Sequence, residues 1–512
     1  MRKTIIFFLL TAAVLSCRKD IVERNLQFPA LDPARPDSNA GIWKPLLLTA
    51  PDEFSIAAPG AINIPAYTRE INEIKSFQAS LTQEQRSRIA YWSAGSVLRW
   101  NEIMRMLVAR YNLPPYQNPD DTYPIPSPAN PFAYPQFPFS NPPYAARAYA
   151  YLSAAQYDAL VAAYHYKKLY RRPAPYVADP TLQVLVPKTP LGAYPAESGV
   201  IAGVTVELMK LLFPTEAAFI RQMAEEEKLC SIISGAQVRS DVEAGESLGR
   251  QVAVKFMARA ASDRAGAAVG NPGIWAQFEA DCLARGEVPW KSLDVPARPP
   301  MLPLFGKVKS FLIDSATQVG NRPPAPPSTN STAFLAELAE VRNLAGNATR
   351  GQISTVHFWA DGAGTYTPPG HWNAIASEAF VGQRYSEVRW ARNLALLNIT
   401  MMDAAIACWD AKYLHFNPRP SQLDRQIRTH TGVPNFPAYV SGHSTFSAAA
   451  YTYLSHILPG EAATFEAMAK EASLSRLYGG IHYRSDCERG FELGKRVGAY
   501  AVSRAIADGA DD

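Results

Sequence analysis

Lys412-YLHFNP-Arg419-Pro420, Val440-Ser441-Gly442-His443 and Ser475-Arg476-LYGGI-His482-YRS-Asp486 follow one another near the C-terminus of this chain. Together they supply three cations, a glycine-cleared stretch of backbone, a hydroxyl and two imidazoles. A tetrahedral oxyanion calls for such a set: forked guanidinium groups for its oxygens, the free amides of a helix start, and an imidazole aimed at its central atom. Each piece alone is common. Their order and internal spacing within residues 412–486 are not.

Ser441-Gly442-His443 precedes the amphipathic run from Thr445 to Leu458, which predicts that the tripeptide opens a helix. Gly442 then lets an anion approach the main chain without meeting a Cβ. Lys412 closes a preceding long helix, and Asn417-Pro418-Arg419-Pro420 breaks it and turns Arg419 back. Arg419 and Arg476 can each fork onto two oxygens, which lysine cannot do. Asp486 stands four residues after His482, so it either fixes the histidine tautomer or caps the helix that follows. Lys412 either contacts the anion or only closes its helix end.

The chain is also written twice. At an offset of 245 residues, Arg239-Ser240-Asp241 falls on Arg484-Ser485-Asp486, and Leu248-Gly249 falls on Leu493-Gly494. Pro214, Glu216 and Met223 fall on Pro459, Glu461 and Met468, while Asp158 and Lys167 fall on Asp403 and Lys412. A period this long excludes a solenoid and predicts two homologous helical bundles. The comparison separates scaffold from chemistry. Ala196, Glu197 and Ser198 stand where the second copy has Ser441, Gly442 and His443, Ser231 stands opposite Arg476, and Gln237 opposite His482. The first bundle is therefore expected to be inert and the second to carry the site.

Long Ala- and Leu-rich segments with three- and four-residue apolar spacing, and little strand-like alternation, predict an all-α protein. The expected organisation is a signal peptide over 1–17 and an irregular N-terminal segment over 18–85. A first bundle over 86–290, a Pro-rich connection and helix over 291–350, and a catalytic bundle over 351–512 follow. A Pro-rich stretch from Pro114 to Pro143 interrupts the first half and is expected to be extended. With 512 residues and a net charge of +4, the chain has ample core and no basic stripe for nucleic acid. Arg2, Lys3 and the apolar run Ile5 to Leu15 read as an export signal, too short to span a membrane. Its end at Val14-Leu15-Ser16-Cys17 resembles a bacterial lipoprotein box. Cys17 is thus expected to carry a lipid that anchors an exported protein at the periplasmic face or cell surface. No spanning helix is expected in the body of the chain. Cys230, Cys282, Cys408 and Cys487 show no metal-type spacing.

The three motifs resemble the phosphatidic acid phosphatase type 2 superfamily, which includes the vanadium-dependent haloperoxidases. Val440 departs from its pattern, replacing a proline. The resemblance implies paired helical bundles and an oxyanion site of Lys412, Arg419, Ser441, Gly442, His443 and Arg476. In it His482 bonds the central atom and His443 works as acid and base. Phe436-Pro437-Ala438-Tyr439, Trp409 and the segment His357 to Asp361 resemble the haloperoxidase branch, with Asp361 a candidate partner for Arg476. That branch implies vanadate on His482, with hydrogen peroxide and halide as substrates. The alternative is a phosphomonoesterase acting through a phosphohistidine.

Overall fold

A computed structural model describes residues 28–113 and 141–511. The export signal with Cys17 and nearly all of the 114–143 stretch lie outside the described residues. Among those described there is no strand, so the fold is all-α. The longer helices are α1 (Pro65–Ala79), α2 (Gln83–Trp92), α3 (Ser96–Tyr111), α4 (Pro142–Tyr170), α5 (Glu197–Leu212), α6 (Ala217–Ile233), α7 (Arg239–Ser262) and α8 (Pro272–Ala284). They continue with α9 (Thr332–Gly346), α10 (Arg350–Phe358), α11 (Thr367–Val381), α12 (Glu387–His415), α13 (Gly442–Ile457), α14 (Ala462–Tyr478) and α15 (Arg484–Ile506).

Helix α1 corrects the expectation of an irregular segment over 18–85. Pro65 sits at its first position, where a missing N–H costs nothing, and Tyr67, Ile71 and Ile74 line one buried face. Those three apolar residues are diluted among Arg, Glu and Lys, which hides the period.

The 245-residue offset holds for helix positions as well as residues. Pro142–Tyr170 maps onto Glu387–His415, Glu197–Leu212 onto Gly442–Ile457, Ala217–Ile233 onto Ala462–Tyr478, and the starts of α7 and α15 coincide. Both long helices end on a residue in the left-handed region, Arg171 (φ 48°) and Phe416 (φ 53°), which reverses the chain at once. The repeat also preserves a helix contact. A Cβ on Gly245 would stand 2.4 Å from Ala196 O, and one on Gly490 would stand 2.7 Å from Ser441 O. Only glycine allows α15 to lie that close to the start of α13.

The two halves share a core. Helix α4 packs along α12, and one apolar cluster runs from Trp43 and Trp100 through Ala154 to Trp409, Phe446 and Leu493. Buried carboxylates fasten extended segments onto both long helices. Asp158 accepts from the main-chain N–H groups of Leu46, Leu47 and Leu48 at 2.6–2.9 Å, and Asp403 from those of Phe311 and Leu312 at 2.8 and 2.7 Å. By length and composition the stretch that begins with α12, Glu387–Leu423, could cross a membrane, contrary to the reading of the chain body, but its most apolar 18-residue window is wholly buried in protein.

Candidate active site

Where α12 ends, Phe416 and Pro418 turn the chain and deliver Arg419 into the interior. Ser441 caps α13, its Oγ accepting from Ser444 N at 3.3 Å, and its own N–H donates to Asp486 O at 2.9 Å. The α13 start is thereby fixed to the α15 start. Space opens in front of Gly442, where a Cβ would meet only the Phe446 and Trp409 rings, each at 3.9 Å.

His482 and Arg419 meet at the centre. Arg419 donates from Nε to Phe436 O (2.9 Å) and from Nη1 to Ile481 O (2.8 Å), and Nη1 lies 3.0 Å from His482 Nε2. Its buried Nη2 has no partner. On the other side of the ring, His482 Nδ1 lies 2.9 Å from Asp486 Oδ2. With Nδ1 protonated toward the carboxylate, Nε2 holds the lone pair that receives Arg419. Burial, then the charges of Arg419, Lys412 and Arg476, hold the imidazole pKa well below its ordinary value, so the ring is neutral. The same Asp486 Oδ2 accepts from Tyr483 N at 3.0 Å, so Asp486 both orients His482 and caps α15.

Arg476 donates from Nη2 to Val356 O (3.2 Å) and from Nε to Ser475 Oγ (2.9 Å). It is buried, and burial brings its pKa and that of Arg419 down to about 10, leaving both charged at neutral pH. Its charge acts on both His443 and His482. His443 Nε2 is buried without a hydrogen-bond partner, 3.9 Å from Asp361 Oδ2. Burial, Arg476 and His371 hold the His443 pKa well below the usual imidazole range.

Lys412 is placed differently from an open anion ligand. Its Nζ donates to Pro437 O (2.9 Å), Ala438 O (3.0 Å) and Val440 O (2.5 Å), three acceptors that use all three ammonium hydrogens. Lys167, its equivalent, bonds Gly192 O, the position matching Pro437. The lysine thus holds the segment leading into Ser441 in the second half and into Ala196 in the first.

Two expectations about the surroundings change. Asp361 reaches Arg476 only through its charge: its carboxylate lies on His371 Nδ1 (3.0 and 3.3 Å) and near His443. The cause is the position of His371 on α11, stacked on Trp359 at 4.6 Å and buried, which holds the acid on the histidine side. No motif in the sequence marks His371; its place after Pro368-Pro369-Gly370, in a chain with eight histidines, is the one signal it offers. Of the expected aromatic wall, Trp409 and Phe436 do meet, at 5.0 Å, with Lys412 and Arg419 each 4.9 Å from the Phe436 ring. Tyr439 instead faces His415 and donates to Pro324 O.

Residues 393–506, which contain the whole cluster from Lys412 to Asp486, match the PAP2 superfamily. Residues 393–506 are therefore a PAP2 superfamily region. Solved structures share the fold. A bacterial vanadium-dependent iodoperoxidase is 24% identical with a TM-score of 0.55, over 71% of this chain and 91% of that one. A holo-type bacterial vanadium-dependent chloroperoxidase is 12% identical with a TM-score of 0.51, over 75% and 96%. No curated protein matches the chain.

Proposed function

We propose that this chain is a vanadate-dependent haloperoxidase-like enzyme whose single oxyanion site lies in the second half. His482 carries the reading. Its Nδ1 is committed to Asp486, so its Nε2 lone pair faces the buried Arg419 guanidinium, and the charge of the buried Arg476 acts on the same ring. The donor set fits an oxyanion: the buried Arg419 Nη2 and His443 Nε2 both await a partner, and Gly442 leaves room for an oxygen. His482 would hold vanadate through Nε2. Arg419, Arg476 and the amides at the α13 start would hold its oxygens, with Lys412 adding charge from behind Val440. When bound, vanadate supplies the activation of hydrogen peroxide toward a halide.

The protein's own part is positioning and proton handling. Arg419, with Nη1 on His482 Nε2 and Nη2 without a partner, would offer its guanidinium to an oxygen of a bound anion. His443, neutral in the empty pocket, gains a favourable protonated form once an anion stands beside it, and can then give a proton to a reacting oxygen. Asp361, 3.9 Å away, is positioned to favour that charged form. Trp409 and Phe436 keep one wall apolar.

The second reading, a phosphomonoesterase, rests on the same lone pair. His482 Nε2 would attack phosphorus, and His443 would protonate the leaving oxygen and then activate water. The similarity in fold to iodo- and chloroperoxidases and the Trp409–Phe436 wall favour the first reading. The test is turnover of the apo-protein with hydrogen peroxide plus iodide, bromide or chloride, with and without vanadate, beside a chromogenic phosphate ester. Vanadate-dependent halide oxidation supports the proposal. Ester hydrolysis that vanadate inhibits, with no halide oxidation, establishes the second reading instead.

A further inference from the structure

The first half keeps a cavity of about 200 Å³ at the place that corresponds to the oxyanion site. Its wall includes Lys167, Glu197, Ser198, Ser231 and Gln237, which occupy the positions of Lys412, Gly442, His443, Arg476 and His482. The guanidinium and imidazole groups are gone and only the lysine is kept, but the cavity is not filled in. Carboxylates have entered it: Glu197 at the start of α5, Glu227 from α6 and Glu387 from the start of α12. Lys167 stands alone against them, 3.7 Å from Glu197 and hydrogen-bonded to Gly192 O.

Three buried polar atoms of this wall lack a protein partner. They are Ser198 Oγ, Gln237 Oε1 and Glu227 Oε1. Glu227 is only 1% exposed; its Oε2 accepts from Trp100 Nε1 at 2.7 Å, and its Oε1 is left over. All three can accept a hydrogen bond, and an unpartnered buried carboxylate oxygen is costly unless a donor reaches it. The remaining wall combines apolar side chains such as Ile89 and Leu191 with hydroxyl residues such as Ser93 and Thr189, and its two aromatic residues, Trp92 and Tyr164, are both buried.

We propose that this cavity binds a small organic ammonium ion with an apolar body. The ammonium hydrogens would satisfy Glu227 Oε1, Gln237 Oε1 and Ser198 Oγ, and the Trp92 and Tyr164 rings would face the cation and its hydrocarbon. Among the described residues no group of three or more His, Cys, Asp or Glu side chains is arranged to hold a metal ion, so the charge suits an organic cation. A cavity of about 150 Å³ already accommodates a benzene ring, so a benzyl group with one ammonium matches this volume. Burial pushes the Glu227 pKa up to about 8, a penalty that a bound cation offsets. The halves would then divide their chemistry by charge, an anion in the second and a cation in the first.

The test is calorimetric titration of the full chain with benzylammonium, benzyl alcohol and benzoate. One equivalent of benzylammonium should bind, benzyl alcohol at least about tenfold more weakly, and benzoate not measurably. Glu227→Gln, which keeps an acceptor for Trp100, should weaken benzylammonium about tenfold or more. Equal binding of alcohol and ammonium, no saturable binding of benzylammonium, or unchanged affinity in a folded Glu227→Gln protein would overturn the proposal. Should that variant fail to fold, the comparison of the three probes on the unmodified protein decides alone.

Discussion

His482 and Asp486, four residues apart, are joined by a 2.9 Å hydrogen bond, and the carboxylate oxygen that makes it, Oδ2, also accepts from Tyr483 N. One atom therefore fixes the tautomer of the central histidine and the first turn of α15. In the first half the corresponding Asp241 faces Arg172 Nε at 3.3 Å instead, because Gln237 offers no imidazole. The acid belongs to the scaffold of both halves, and the second half has put it to a further use.

Asp486→Asn should therefore weaken oxyanion binding without erasing the fold. An amide can present a donor to Nδ1 and reverse the tautomer, so Nε2 would lose its lone pair. Tungstate affinity, measured by calorimetry, should fall about 10- to 100-fold, the usual cost of losing a supporting partner of a ligating histidine. A change of less than about twofold would detach Asp486 from the site.

The two histidines should separate by role. His482→Ala should abolish tight oxyanion binding and all turnover. His443→Ala should keep the anion and slow the chemistry by about 10²- to 10⁴-fold, the range for a lost acid–base group. Calorimetry with each variant, beside the halide and ester assays, distinguishes them. Loss of anion binding in His443→Ala with retention in His482→Ala would reverse the assignment.

Acid should expose the buried state of His443. Its folded pKa lies below the unfolded value, so the unfolded chain binds the extra proton first and stability is lost as pH falls through the ordinary imidazole range near about 6.5. His443→Gln has no such proton to take up. The stability difference between wild type and variant should move toward the variant on acidification, with a limiting slope of about 1.4 kcal/mol per pH unit. Denaturant midpoints of both proteins over that range measure it, and parallel pH profiles would show that His443 is not buried neutral.

Asp403→Ala tests how the long helices are fastened. It would leave the buried N–H groups of Phe311 and Leu312 without their acceptor, at a cost of about 1–3 kcal/mol each. A lowered thermal midpoint is expected, and Asp158→Ala should have the same sign because its carboxylate binds Leu46, Leu47 and Leu48 in the same way.

Much of this was legible in the sequence for identifiable reasons. The offset of 245 residues showed because glycines such as Gly245 and Gly490 sit where adjacent backbones nearly touch and no Cβ fits. The helix start at Ser441 and the His482–Asp486 spacing are local, so residue order carries them. What stayed hidden depends on main-chain acceptors or on distant elements. Lys412 ends on the carbonyls of Pro437, Ala438 and Val440, and carbonyls have no sequence signature. Asp361, in the loop between α10 and α11, bonds His371 on α11 and reaches Arg476 only by its charge, and the packing of His371 on Trp359 decides that choice. The carboxylates in the first-half cavity come from α5, α6 and α12, too far apart in sequence to read as a cluster.

The central claim is that one half holds the oxyanion, and holds it through His482. A crystal soaked in orthovanadate measures this most directly. The account predicts one strong heavy-atom peak within bonding distance of His482 Nε2, flanked by Arg419, Arg476 and the α13 start, and none beside Gln237. No peak at His482, or peaks of equal strength at His482 and Gln237, would contradict it.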